Sequence, residues 1–191
     1  MTQIGVLALQ GDFREHRQML DRLGVQTSEV RLPQDLDGVS GLILPGGEST
    51  AIVRLMRTSG LLEELQRLSR EGLPLWGTCA GMILLAKRLD TSGMPALQAM
   101  DITVRRNAFG RQVDSFETDL PVACLEGGAT RAVFIRAPYV EAAYEGVEVL
   151  SVYNDKIVAV RQGNLLGTAF HPELTDDRRV QQYFLKMVEG G

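Results

Sequence analysis

Apolar and polar positions follow two different rhythms along this chain. Ile4 to Leu9 is a continuous apolar run of the kind that fills a buried strand, and from Asp12 to Leu23 the residues Phe13, Leu20 and Leu23 fall on one face of a helical period. A second strand is expected around Thr27 to Leu32 and a third over Gly41 to Leu44. Pro45-Gly46-Gly47 breaks that pattern, after which one helical stretch is expected from about Ala51 to Glu71. Leu73 to Trp76 reads as the next strand. It passes through Gly77-Thr78-Cys79-Ala80-Gly81 into Met82 to Leu89, a segment helical in composition. Strand alternating with helix in this way predicts a parallel sheet with helices packed on it.

The second half changes character. Strands are expected near Ile102 to Arg105, Arg131 to Ile135, Val147 to Val152, Ile157 to Arg161 and Leu165 to Phe170. Asn154-Asp155 and Gln162-Gly163-Asn164 are turn-rich separators between closely spaced strands, which predicts antiparallel hairpins. Asp176 to Val188 reads as a closing helix with Val180, Phe184 and Met187 on one face and acids in its first turn. With no internal repeat or linker to divide it, 1–191 is expected to form one α/β domain around a mixed, mostly parallel sheet.

Composition narrows the function. The formal charge of -4 exerts no broad pull on phosphate backbones or anionic lipid, so nucleic acid and membrane are not expected partners. Ile4 to Leu9 lacks a basic leader, and no apolar run approaches the roughly 20 residues that span a bilayer, so a cytoplasmic protein is expected. The two cysteines, Cys79 and Cys124, are expected as free thiols, and Cys124, in a mixed apolar segment, is read as a small packed hydrophobe. No metal-ligand spacing is present, and neither a metal nor a cofactor is expected.

Three segments carry chemistry. Gly77 to Gly81 has the spacing of a nucleophile elbow, in which a sharp strand-to-helix turn thrusts its central residue out of the sheet. Side chains at 77 or 81 would collide with backbone in so tight a turn, and the helix that follows favours a Cys79 thiolate. A thiolate nucleophile needs a proton carrier, and the chain has two histidines. Mid-helix His16 reads as a surface or core-edge residue. In His171-Pro172-Glu173 the proline keeps His171 out of the helical region, so the two flanking side chains can share one side and Glu173 can fix the imidazole tautomer. In Pro45-Gly46-Gly47-Glu48-Ser49-Thr50 the glycine pair lets backbone N–H groups approach a ligand. The N–H groups of Gly47 and Ala80 are the expected oxyanion donors. A phosphate cradle would need the Gly-Lys-Ser/Thr ending that is missing here, while Ser49 or Thr50 capping the next helix is compatible with either reading.

These motifs resemble the class I, triad-type glutamine amidotransferases. Leu7 to His16, Pro45 to Thr50, Gly77 to Met82, Arg106-Asn107-Ala108-Phe109-Gly110-Arg111-Gln112, Phe134 to Pro138 and His171 to Leu174 look like the glutaminase subunits of pyridoxal phosphate synthases, over nearly the full chain. The resemblance implies a three-layer sheet flanked by helices and hydrolysis of L-glutamine by Cys79 with His171 and Glu173. It further implies glutamine contacts at Gly46, Gly47, Glu48, Arg106, Ile135 and Arg136, and ammonia delivered to a lyase subunit in a heteromeric complex. Docking is expected to move Gln10 and Pro45 to Glu48. Arg105 and Arg111 are left between surface charge and partner contact. The alternatives are a glutaminase serving another synthase, such as the histidine-pathway partner, a peptidase or deglycase, and a scaffold without turnover.

Overall fold

The computed structural model describes residues 2–90, 95–106 and 115–190. In chain order the first half comprises β1 (Gln3–Leu7), α1 (Phe13–Asp21), β2 (Gln26–Val30), β3 (Gly41–Leu44), α2 (Ser49–Ser59), α3 (Leu61–Arg70), β4 (Leu75–Thr78), α4 (Ala80–Leu85) and β5 (Ala86–Leu89). The second half comprises β6 (Met100–Arg105), β7 (Ser115–Leu120), β8 (Thr130–Ile135), β9 (Tyr139–Ala143), β10 (Glu148–Tyr153), β11 (Lys156–Gln162), β12 (Leu165–Thr168) and α5 (Arg179–Val188). The main sheet runs β2-β1-β3-β4-β12-β11-β9-β6-β5, with β10 beside β11; β7 and β8 form a separate hairpin.

From β2 to β12 every pairing is parallel, and β3 and β4 are buried residue by residue. Continuous burial is what a parallel strand covered on both faces requires, which is why Gly41 to Leu44 carries no alternation. From β12 onward the pairing turns antiparallel through β11, β9 and β6, so two halves of different rhythm share one mixed sheet. Asn154 and Asp155 turn β10 into β11 at positive φ, as the turn chemistry predicts. Over the middle of the sheet, α1 and α5 meet at Trp76, whose ring lies 5.5 Å from that of His16 and 5.6 Å from that of Phe184. Among the described residues no helix is long and apolar enough to cross a membrane.

Four expectations are corrected. The helix expected over 51–71 is two, divided at Gly60, whose φ of 77° is the left-handed end of α2. Residues Ala86 to Leu89 are not helix but a strand parallel to β6, because pairing there overrides the helical preference of Ala-Lys-Arg-Leu. α2 is capped by Glu48 rather than by Ser49 or Thr50: its carboxylate accepts from Thr50 N–H at 3.1 Å and Ala51 N–H at 2.7 Å. The closing helix begins at Arg179, so the acids precede its first turn, and Asp177 accepts from Arg179 N–H at 3.0 Å. β7 and β9 were not anticipated.

Candidate active site

β4 is held by β3 on one side and β12 on the other, so the residue that follows it has little room to drift. That residue is Cys79, with φ 49° and ψ −106°, and its N–H donates to the Thr168 carbonyl at 2.8 Å. The chain passes itself so closely that a Cβ on Gly77 would stand 2.4 Å from the Gly81 carbonyl, and one on Gly81 would stand 1.9 Å from the Leu44 oxygen. Only glycine fits at either position. Cys79 is 8% exposed, and its thiol points toward the Ile135 carbonyl, 3.8 Å away.

β12 leads to His171, whose N–H donates to Val133 O at 2.8 Å. Pro172 opens a short 3-10 turn that folds Glu173 back, and Glu173 Oε1 lies 2.7 Å from His171 Nδ1. The opposite ring nitrogen, Nε2, is left for the thiol, and His171 and Cys79 line one cavity. Burial disfavours charge on this imidazole, yet hydrogen bonds and charge from Cys79 and Glu173 outweigh it and raise the pKa to about 10. Burial likewise pushes Glu173 up, but His16 and His171 hold its carboxyl below the usual range.

Sequence reasoning missed two members of the cluster. Asp12 Oδ2 is 3.6 Å from His171 Nδ1, and its carboxyl is raised chiefly by burial. His16, expected at the surface or the core edge, is fully buried, with Nε2 3.0 Å from Thr78 Oγ1 and 3.5 Å from Glu173 Oε1. The signal was there: His16, Met19 and Leu20 stand three and four apart on the face that α1 lays against the sheet. Asp12, His171 and Glu173 offer ligand atoms within 4.8 Å of one another, spacing that a metal ion could use. The 2.7 Å contact between Nδ1 and Oε1 is nonetheless that of a charge-assisted hydrogen bond.

A cavity of about 450 Å³ opens over the thiol. Its walls include Gln10, Gly47, Glu48, Ala80, Arg106, Ile135, Arg136 and His171, so nearly all the expected contacts face one space. Gly46 does not line it but lies against His171, where a Cβ would stand 2.5 Å from the ring. Gln10 Oε1 accepts from Glu48 N–H at 2.7 Å, linking the two loops at the cavity mouth. Arg106 has a buried Nε without a partner among the described residues, which suits a guanidinium reserved for a carboxylate. Arg105 instead pairs with Asp90 and Glu141 and donates to Tyr139, so its charge is spent within the fold. Asn107 to Gln112, including Arg111, lie outside the described residues. Cys124 is partly buried against the core, and burial raises its pKa.

Comparison with known proteins adds a family. Residues 6–190 match the model of the SNO glutamine amidotransferase family. A Moorella thermoacetica protein named pyridoxal 5'-phosphate synthase subunit PdxT is 58% identical over 186 residues, which is 97% of this chain and 99% of that protein. One of the same name from Dehalococcoides mccartyi is 58% identical over 190 residues, 98% of this chain and 97% of that protein. A solved structure described as a glutamine amidotransferase superposes with a TM-score of 0.93 at 51% identity, covering 97% of this chain and 98% of that one. PurLQS from Thermotoga maritima, at 19% identity and a TM-score of 0.74, shares the fold.

Proposed function

The chain belongs to the SNO glutamine amidotransferase family, and from that premise we propose that it hydrolyses L-glutamine to glutamate and ammonia for a pyridoxal 5'-phosphate synthase. The observation that carries this reading is a thiol on a sharp turn and an imidazole that open on one cavity, with a buried carboxylate 2.7 Å behind the imidazole. The full-length likeness to proteins named as synthase subunits supports the choice of partner. It gives no preference to the histidine-pathway alternative. The 191 residues are read as one glutaminase domain that takes no metal or cofactor.

In the proposed reaction Cys79 Sγ attacks the side-chain carboxamide carbon, and negative charge develops on the amide oxygen near Gly47 and Ala80. His171 takes the Cys79 thiol proton on Nε2, the ring nitrogen left free because Nδ1 is engaged with Glu173. It gives that proton to the departing nitrogen as the C–N bond breaks. Ammonia leaves, and a γ-glutamyl thioester remains on Cys79. Water then attacks the thioester as His171 takes its proton, the C–S bond breaks, and glutamate and the thiol are restored. Arg106 and Arg136, on the cavity wall, suit the α-carboxylate of free glutamine. Gly47, Glu48 and Ile135 complete the proposed amino acid contacts, with Gly46 behind them against His171.

The test mixes this chain with a pyridoxal phosphate synthase lyase subunit, a pentose phosphate and a triose phosphate. Glutamine should support cofactor synthesis with wild-type chain and fail with Cys79→Ala, while ammonium chloride should support both. Synthesis from glutamine by the Cys79→Ala chain would overturn the reading.

A further inference from the structure

Among the described residues the proposed triad leaves a buried histidine unused. His16 is wholly enclosed between α1, β4 and the turn after β12, with the Trp76 ring edge-on to it at 5.5 Å. Its Nε2 faces two oxygens, Thr78 Oγ1 at 3.0 Å and Glu173 Oε1 at 3.5 Å, while its Nδ1 has no partner among the described residues. This arrangement selects a tautomer. A proton on Nδ1 would be buried without an acceptor and would leave the Nε2 lone pair facing a carboxylate, whereas a proton on Nε2 meets both oxygens. Burial lowers the His16 pKa, in keeping with a neutral ring that donates rather than a second cation.

Glu173 is equally constrained. Its Oε1 takes both the His171 contact at 2.7 Å and the His16 contact, while Oε2 has no partner among the described residues. His16 is therefore one of two side chains that meet a carboxylate sealed from water. Removing one donor from such a group costs far more than removing one at the surface. Thr78, the other acceptor, immediately precedes the nucleophile. One imidazole thus touches both the carboxylate and the residue next to the thiol.

We propose that His16 is a positioning residue for glutamine hydrolysis, holding Glu173 ionised and aimed at His171 through a neutral Nε2–H shared with Thr78. The charged and titratable groups around it are Glu15 and Asp12 on the α1 side, and Glu173 and His171 on the turn after β12; β4 contributes the uncharged Thr78 and Trp76. This inference rests on the Cys79–His171–Glu173 reading.

The test uses the chain in complex with its synthase partner and compares His16→Leu, which removes the donor, with His16→Gln, whose amide nitrogen can reach the place of Nε2. His16→Met replaces His16→Leu if the branched side chain prevents folding. With the donor gone, kcat should fall about 10- to 100-fold with KM nearly unchanged, the scale seen when a partner that orients a reacting group is lost. The acidic limb of the pH–rate profile should move to higher pH as Glu173 takes a proton more readily, and Cys79 alkylation by a glutamine-like chloroketone should slow over the same range. His16→Gln should recover most of the rate and the original profile. The proposal is overturned if the apolar variant keeps the wild-type kcat and profile, or if both variants are equally slow with the profile unmoved, since that would mark a packing role. Glutamine hydrolysis that survives Cys79→Ala would instead sink the triad reading itself.

Discussion

Cys79 holds a backbone conformation that L-residues avoid, and a side chain stays there only because its surroundings leave it no alternative. The parallel neighbours of β4 and the Cys79 N–H bond to Thr168 supply that constraint. Cys79→Ala and Cys79→Gly both lose the thiol, so their difference isolates the backbone. Cys79→Gly should be the more stable by about 1–2 kcal/mol in urea unfolding, with both inactive. The imidazole makes a second prediction. His171 has its folded pKa raised from 6.5 to about 10, so protonation favours the folded state. Its contribution to stability is fully present below pH 6.5 and is lost as the pH rises through about 10. Urea unfolding at pH 6, 8 and 10 should therefore show wild type losing its advantage over His171→Phe as the pH climbs. An advantage that stayed constant or grew would refute the assignment. Cys79, His171 and Glu173 could be picked out in the chain because each sits in a segment whose turn chemistry is local. His16 and Asp12 could not: the spacing of His16 with Met19 and Leu20 marks a buried face, but which groups that face meets depends on where α1 lands.

Among the elements, the break between α2 and α3 is a matter of one residue. Gly60 takes φ 77°, and the nearest atom to a Cβ placed there is Pro33 Cγ at 3.7 Å, so a larger residue meets strain rather than collision. Gly60→Ala should cost about 1 kcal/mol of stability and leave glutamine hydrolysis unchanged. Sequence periodicity did not reveal this break because apolar spacing continues on both sides of it. β5 was obscured for the opposite reason: Ala-Lys-Arg-Leu has helical preference and becomes a strand only when β6 is beside it. The runs feeding β1, β3, β4 and β12 were legible because burial on both faces leaves a continuous apolar signature that no loop shares. Asp177 fastens the last helix. It accepts from Thr130 Oγ1 at 2.7 Å and from the Arg179 guanidinium, which also reaches the carbonyls of Glu126, Gly128 and Ala129. The arginine is the main cause holding the Asp177 carboxyl down, at about 2, against an ordinary 3.8. Its stabilisation is present above pH 3.8 and is lost as the pH falls toward 2. Asp177→Asn should lower stability at pH 7 by about 1–2 kcal/mol after allowance for solvent screening, and the difference from wild type should shrink in acid.

For the whole molecule, the question is how a docked partner could set the rate of glutamine hydrolysis. Two loops form the mouth of the cavity, one after β1 and one after β3, and they are tied to each other. Asp12 N–H donates to Gly46 O at 3.0 Å, and Glu48 N–H donates to the Gln10 carboxamide at 2.7 Å. Gln10 Oε1 also sits 2.6 Å from where a Gly47 Cβ would be, so an amide belonging to the chain itself crowds the glycine proposed to receive the substrate oxygen. A partner that drew the β1 loop aside would release the Glu48 N–H and clear Gly47 together, coupling docking to turnover without touching Cys79. Gln10→Ala severs that tie from within. Ammonia release by Gln10→Ala in the absence of the synthase subunit should rise, and the stimulation on adding the subunit should shrink by about 5- to 10-fold, within the usual range of coupling between sites. A stimulation ratio equal to that of wild type would mean that docking acts elsewhere and that the Gln10 contact is incidental.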